Sequence, residues 1–181
     1  NKKKILLRLD LNVPLKNGVI TDETRIDKII PIIKFLIKKE SKIIVLSHVG
    51  RPKGKINNDL SLKPICENIE KKINQKIRLV SDDIFKLKKE HLFKDNNDRI
   101  VFLENIRFYK EEEENDESFS KKLASLGEIY INDAFSCSHR KQSSIHCITK
   151  FIDKSFAGPL LKKEIESIDL VLKNKREPVT C

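Results

Sequence analysis

Ile43-Ile44-Val45-Leu46-Ser47-His48-Val49-Gly50-Arg51-Pro52-Lys53-Gly54 changes character at its fifth residue. The first four side chains form an apolar run of the kind that makes a parallel strand buried on both faces. The remaining residues bring in a histidine, two glycines, a proline and an arginine, which is loop chemistry placed at a strand's carboxyl end. Ligands of open α/β sheets bind in the crevice beyond those ends. Glycine lets backbone amides come close to a ligand, and an arginine fork matches a carboxylate or phosphate.

Working outward in the N-terminal direction, Lys4 to Asn12 (KILLRLDLN) reads as a strand, with Asp10 and Asn12 on one face of its end. Pro14 stops it, Asn17-Gly18 marks a turn, and Thr21 is placed to cap a helix running from Asp22 through the lysines that follow Ile37. Ile26, Ile29, Ile30, Ile33 and Ile37 recur at helical spacing as its buried face, and Pro31 predicts a kink or restart. Arg25 falls in its first turn. In the other direction, Ser61 heads a helix (SLKPICENIEKKI) and a short strand follows (KIRLV). Residues 81–97 are a charged helix or loop in which His91 reads as exposed. RIVFL, at 99–103, is a further strand, followed by Glu104-Asn105-Ile106-Arg107. The acidic run Glu111–Glu114 reads as a solvated approach to the helix ESFSKKLASL. EIYI (128–131) leads into Asn132-Asp133 and a polar loop through Arg140. A long amphipathic helix is expected from Ala157 to Lys175, and PVTC (178–181) opens another strand. Alternating strands and helices define the fold class: α/β, a doubly wound, mostly parallel sheet of Rossmann-like three-layer α/β/α form.

The 181 residues suffice for one domain with a core, or one domain and the start of another. A hydrophobic content of 39% with 35% charged residues fits a soluble globular chain, and +10 formal charge raises nucleic acid or phosphorylated ligands as partners. The charge comes mainly from lysines spread along the chain, which reads as residue bias, so the eight arginines carry more information. The four cysteines, Cys66, Cys137, Cys147 and Cys181, lack C-x-x-C spacing and read as reduced thiols of a cytoplasmic protein. Arg8 and Asp10 break the apolar run that a signal peptide would need, and no stretch approaches a membrane span. Methionine is absent and the chain stops at an apparent strand opening, so the sequence reads as a fragment.

Four strands end in polar clusters: Asp10 with Asn12, His48 with Arg51, Asn105 with Arg107, and Asn132-Asp133 with Arg140. Parallel strands share one carboxyl edge, so these groups and Arg25 should converge. Gathered arginines repel one another unless an anion joins them, which points to a small polyanion bearing phosphate or carboxylate. Gly50-Arg51-Pro52-Lys53-Gly54-Lys55 is not a P-loop: its glycines are one residue too close, and Ile56 stands where Ser or Thr would hold magnesium. Cys137, His139, His146 and Cys147 match no common zinc spacing, so no metal site is expected.

The ordered runs RLDLNVPL, TDETRI, SHVGRPKG, SLKPI, FLENIRFYKEEEEND, KKLASL and YINDAFSCSHR resemble the N-terminal domain of phosphoglycerate kinase, across essentially the whole chain. The resemblance implies the N-terminal half of a monomeric two-domain hinge enzyme of glycolysis and gluconeogenesis. Such an enzyme moves phosphate reversibly between 1,3-bisphosphoglycerate with ADP and 3-phosphoglycerate with ATP. It further implies that residues 1–156 hold phosphoglycerate, 157–175 form the interdomain helix, and 176–181 begin a nucleotide-binding domain. ATP or ADP with Mg2+ would bind that missing C-terminal domain, so no cofactor-binding residue is expected here and the chain alone should be inactive. By the same resemblance Arg25 is the catalytic arginine. Asp10, Leu11 and Asn12 would meet the glycerate hydroxyl and carboxyl region, and His48, Val49, Gly50, Arg51, Arg107 and Arg140 would grip the 3-phosphate end. The family's G-T-A-H-R pattern is Ser136-Cys137-Ser138-His139-Arg140 here, Lys141-Gln142 replace a following A-H, and Val49 replaces a Leu. Two other readings compete: a basic nucleic-acid-binding module, and a non-catalytic relative that binds an anion.

Overall fold

The computed structural model describes residues 3–16, 18–94 and 98–173. Along it run β1 (Lys4–Leu9), β2 (Leu15–Lys16), β3 (Val19–Ile20), α1 (Thr24–Lys38), β4 (Lys42–Leu46), α2 (Lys63–Ile73) and β5 (Ile77–Val80). Then come β6 (Ile100–Leu103), α3 (Lys110–Glu113), α4 (Glu117–Ser125), β7 (Ile129–Asp133), β8 (Ser155–Ala157) and α5 (Pro159–Lys173), with short 3-10 turns between some of them. The strand expected at 178–181 and the last two residues of the expected interdomain helix lie outside the described residues.

Six strands form one sheet in the order β5-β6-β4-β1-β7-β8, and every neighbouring pair is parallel. Because side chains alternate along a strand, the sheet divides its apolar residues between two cores. Ile5, Leu7, Leu9, Ile43, Val45, Ile100 and Phe102 face α1 and α2, whereas Leu6, Ile44, Leu46, Val101, Leu103 and Tyr130 face α4. This is the expected three-layer architecture. β2 and β3 make a separate two-stranded hairpin. The chain visits β4, β5 and β6 on one side of β1 before β7 returns to its other side. The topological switch therefore lies beside β1, where ligand crevices form.

Local details differ from the expectations. β1 ends at Leu9, so Asp10 and Asn12 lie in the following loop, where Asn12 N–H donates to Asp10 Oδ1 at 3.2 Å. Thr21 does not cap α1: its hydroxyl donates to Pro14 O, and the helix starts at Thr24 behind Glu23. α1 is unbroken through Pro31 and buries Ile26, Ile29, Ile32, Ile33 and Leu36. An interior proline costs about 3 kcal/mol, while each buried aliphatic side chain contributes roughly 1.5–3 kcal/mol. Packing wins. Glu112 is fully buried rather than solvated, and residues of 81–94 make no α-helix but a 3-10 turn (Ile84–Lys86) whose Ile84 packs into the α4-side core. β8, which no periodicity announced, pairs three exposed residues to β7.

Candidate functional site

The carboxyl ends of β6, β4, β1 and β7 are consecutive in the sheet, so their loops share one rim. Buried side chains tie these loops together. Ser47 Oγ donates to Leu9 O at 2.8 Å and accepts from Leu11 N–H, joining the β4 and β1 ends. Asn105 is fully buried after β6; its amide donates to Val49 O (2.8 Å) and Leu60 O (2.9 Å), and its Oδ1 accepts from Arg107 N–H. Asn12 Oδ1 accepts from Gly50 N–H at 2.8 Å. Gly50 has φ +65°, and a Cβ there would stand 2.6 Å from the end of the Leu60 side chain, so this turn favours glycine.

On that frame the cations gather. Arg107 is buried, donates to Gly50 O at 3.2 Å, and approaches Gln142 Oε1 at 3.5 Å. Its Nε is buried without a hydrogen-bond partner among the described residues. His48 is buried and its pKa is pushed down to about 2, first by burial and then by the nearby Arg8, Arg107, Arg140 and Arg25. The ring is therefore neutral at physiological pH. Arg25 pairs with Asp10 Oδ2, which also accepts from the Ser136 hydroxyl, linking α1, the β1 loop and the β7 loop. Arg51 and Arg140 are exposed, and neither guanidinium makes a hydrogen bond or ion pair with a described residue.

The structure thus brings Arg25, His48, Arg107 and Arg140 to one rim, with Asp10, Leu11, Asn12, Val49 and Gly50 between them. Arg51 belongs to it through its chain neighbour Gly50 and through no contact of its own guanidinium. Asp133, grouped with these residues by sequence, works elsewhere: its Oδ1 accepts from Leu160 N–H (2.7 Å) and Leu161 N–H (3.1 Å) and anchors α5. Burial raises its pKa. Sequence reasoning missed Arg8, Glu112, Ser144 and Gln142, all buried beneath or beside the cations. The available signal was Arg8 itself, a charge at a core-facing position of an apolar strand.

A cavity of about 220 Å³ opens at the Arg25 end, lined by Asp10, Arg25, Lys28, Asp133, Ser136 and Glu164 among others. A larger one of about 570 Å³ lies beyond β5 and β6, but its charged lining is Asp82, Asp83 and Glu104, which repels anions. Among the described residues no group of three His, Cys, Asp or Glu side chains could hold a metal ion, and no helix is long and apolar enough to cross a membrane. Chemically the rim offers guanidinium forks, a neutral imidazole and the Asp10 and Glu113 carboxylates beside Arg25 and Arg107, a set in which cations prevail and which can bind and neutralise a small anion.

The family model described as phosphoglycerate kinase matches residues 1–181. Among curated relatives, a phosphoglycerate kinase of Wolbachia pipientis wMel is 46% identical over 183 residues, covering 100% of this chain and 45% of that protein. One of Dictyoglomus turgidum is 43% identical over 179 residues, with 99% and 45% covered. Among solved structures, phosphoglycerate kinase from Coxiella burnetii superposes with a TM-score of 0.87 at 35% identity, covering 98% of this chain and 44% of that one. The enzyme from Pyrococcus horikoshii OT3 gives 0.84 at 28% identity, covering 98% and 45%. The chain spans somewhat under half the length of these relatives.

Proposed function

The chain belongs to the phosphoglycerate kinase family, and on that premise we propose that it is the phosphoglycerate-binding part of an enzyme that transfers a phosphoryl group reversibly between 1,3-bisphosphoglycerate with ADP and 3-phosphoglycerate with ATP. In this reading residues 1–156 form the substrate domain, 157–175 connect it to a nucleotide-binding domain, and 176–181 begin that domain. ATP or ADP would arrive with Mg2+ on residues beyond this chain. The protein would act as a cytoplasmic monomer.

The observation that carries the reading is the cation rim: Arg51 and Arg140 without partners among the described residues, and Arg107 with a buried Nε–H that makes no hydrogen bond there and has only the Glu113 carboxylate 4.0 Å away. A doubly charged phosphate would neutralise them. Arg25, on the other side of Asp10, would bridge the substrate carboxyl and the phosphoryl in flight, exchanging part of its pairing with Asp10 for the substrate. Phosphoryl transfer calls for alignment and charge stabilisation rather than a covalent protein intermediate. No Ser, His or Asp of the rim is needed as a nucleophile. Asn12 and Ser47 would hold the loops in register, with Leu11, Val49 and Gly50 supplying backbone walls. The nucleic-acid reading is not favoured, because a single family accounts for the whole chain.

The test is calorimetric titration of the full-length natural protein with 3-phosphoglycerate, beside a coupled ATP-consumption assay. Saturable binding that weakens with salt, together with turnover, supports the proposal. Absence of both, with steeply salt-dependent binding to DNA or RNA, overturns it.

A further inference from the structure

The hydrogen bonds behind His48 all run in one direction. Glu112, fully buried in α3, accepts from Ser144 N–H at 2.9 Å and from the Ser144 hydroxyl at 2.6 Å. With its proton committed there, Ser144 Oγ accepts from Arg8 Nε at 3.0 Å. Arg8, itself fully buried, donates through Nη1 to Leu9 O and through Nη2 to His48 Nδ1 at 3.0 Å. Tyr130 holds the bridge from behind, its hydroxyl donating to Ser144 O at 2.5 Å. The segments involved are β1, the β4 end, α3, β7 and the loop around Ser144, so the chain crosses the sheet.

A guanidinium only donates. His48 Nδ1 must therefore be the acceptor, and the single proton of the neutral ring resides on Nε2, the opposite side of the imidazole. Nε2 has no partner among the described residues. Bringing Arg8 and Glu112 into the interior costs several kcal/mol per ion, which apolar residues of similar volume would avoid. The pair does something an apolar plug would not: it selects a tautomer. Which histidine nitrogen carries the proton is set by the bond the other makes.

We propose that Glu112 and Ser144 are positioning residues which, acting through Arg8, lock His48 as the Nε2–H tautomer and so present a donor to the bound anion. That the anion is a phosphoglycerate rests on the functional reading above; the tautomer lock does not. Without the Ser144 hydroxyl, Arg8 loses its Nε acceptor and is drawn towards Glu112, away from His48. The ring is then free to put its proton on Nδ1, leaving the Nε2 lone pair facing an anion.

Long-range ¹H–¹⁵N spectra of the full-length natural protein, labelled at histidine, read the tautomer directly, with His48→Asn identifying the signals. Wild type should show an acceptor Nδ1 and protonated Nε2. In Ser144→Ala the Nδ1–H tautomer should appear, the KM for 3-phosphoglycerate should rise about ten-fold, and kcat should stay within about two-fold. Ser144→Thr, which returns a bridging hydroxyl, should restore both. An Nδ1-protonated ring in wild type overturns the proposal whether or not any variant folds, and so does an unchanged tautomer in folded Ser144→Ala. Loss of turnover in the wild type would sink the functional reading instead, while the spectra still decide the lock.

Discussion

Acid should weaken this fold through His48, and the size of the effect can be worked out. The side chain is buried among Arg8, Arg107, Arg140 and Arg25, and its pKa falls from 6.5 to about 2 in the folded protein. The unfolded chain takes up a proton as pH drops through 6.5, and the folded chain does not until far lower. Stability from this group is thus complete above pH 6.5 and lost as pH falls towards 2, with a slope approaching about 1.4 kcal/mol per pH unit. Between pH 7.5 and 5.5 the loss comes to about 1.4 kcal/mol. Glu112 acts with the opposite sign, because burial raises its pKa and acid relieves the cost of its charge. The comparison is therefore with His48→Asn, whose Oδ1 still accepts from Arg8 and which leaves Glu112 in place. In urea unfolding of the 181-residue chain, wild type should lose about 1.4 kcal/mol more than the variant over this range. Parallel declines would show that His48 is not held neutral, and the electrostatic account of the rim would fail with it.

Arg25→Ala in the full-length protein should reduce kcat by about 10²–10³-fold. Its unfolding temperature should change little, since the Arg25 side chain is about half exposed and Asp10 keeps the Ser136 hydroxyl as a donor; activity within a few-fold of wild type would remove Arg25 from the transfer step. Asn105→Ala should cost roughly 3 kcal/mol in thermal unfolding, because Val49 O, Leu60 O and Arg107 N–H lose their buried partner together. A loss below about 1 kcal/mol would mean that water replaces it. Gly158→Ala should destabilise by about 2 kcal/mol and speed amide exchange in the first turn of α5, since its Cβ would lie 2.4 Å from the Asp133 carboxyl carbon. Unchanged exchange would show that Asp133 does not anchor that helix.

What the sequence disclosed well was the sheet and the common edge of its strands. The apolar runs around Leu7, Val45 and Phe102 are short, bounded by turn residues and buried on both faces, so their identity depends little on distant contacts. That the loops carrying Arg107 and Arg140 share one edge followed from parallel pairing, whereas Arg25 reaches that edge from the first turn of α1. The supporting layer was hidden because its partners are remote: Arg8 meets Ser144 at a separation of 136 residues. Four consecutive glutamates look equivalent in a string, and only the folded loop at Ser144 singles out Glu112. Asp133 had the composition of a site residue, but the backbone of α5 claimed its carboxylate. β8 escaped because three exposed residues at a sheet edge leave no alternation to detect.

The central seat of β1 has a consequence for synthesis on the ribosome. Ile5 pairs with Ile43 on one flank and with Ile129 on the other, so β1 waits for a strand that is synthesised much later. At about 5–20 residues per second that interval is roughly ten seconds. Throughout it, an apolar strand destined for the middle of the protein has one flank open to any other nascent chain.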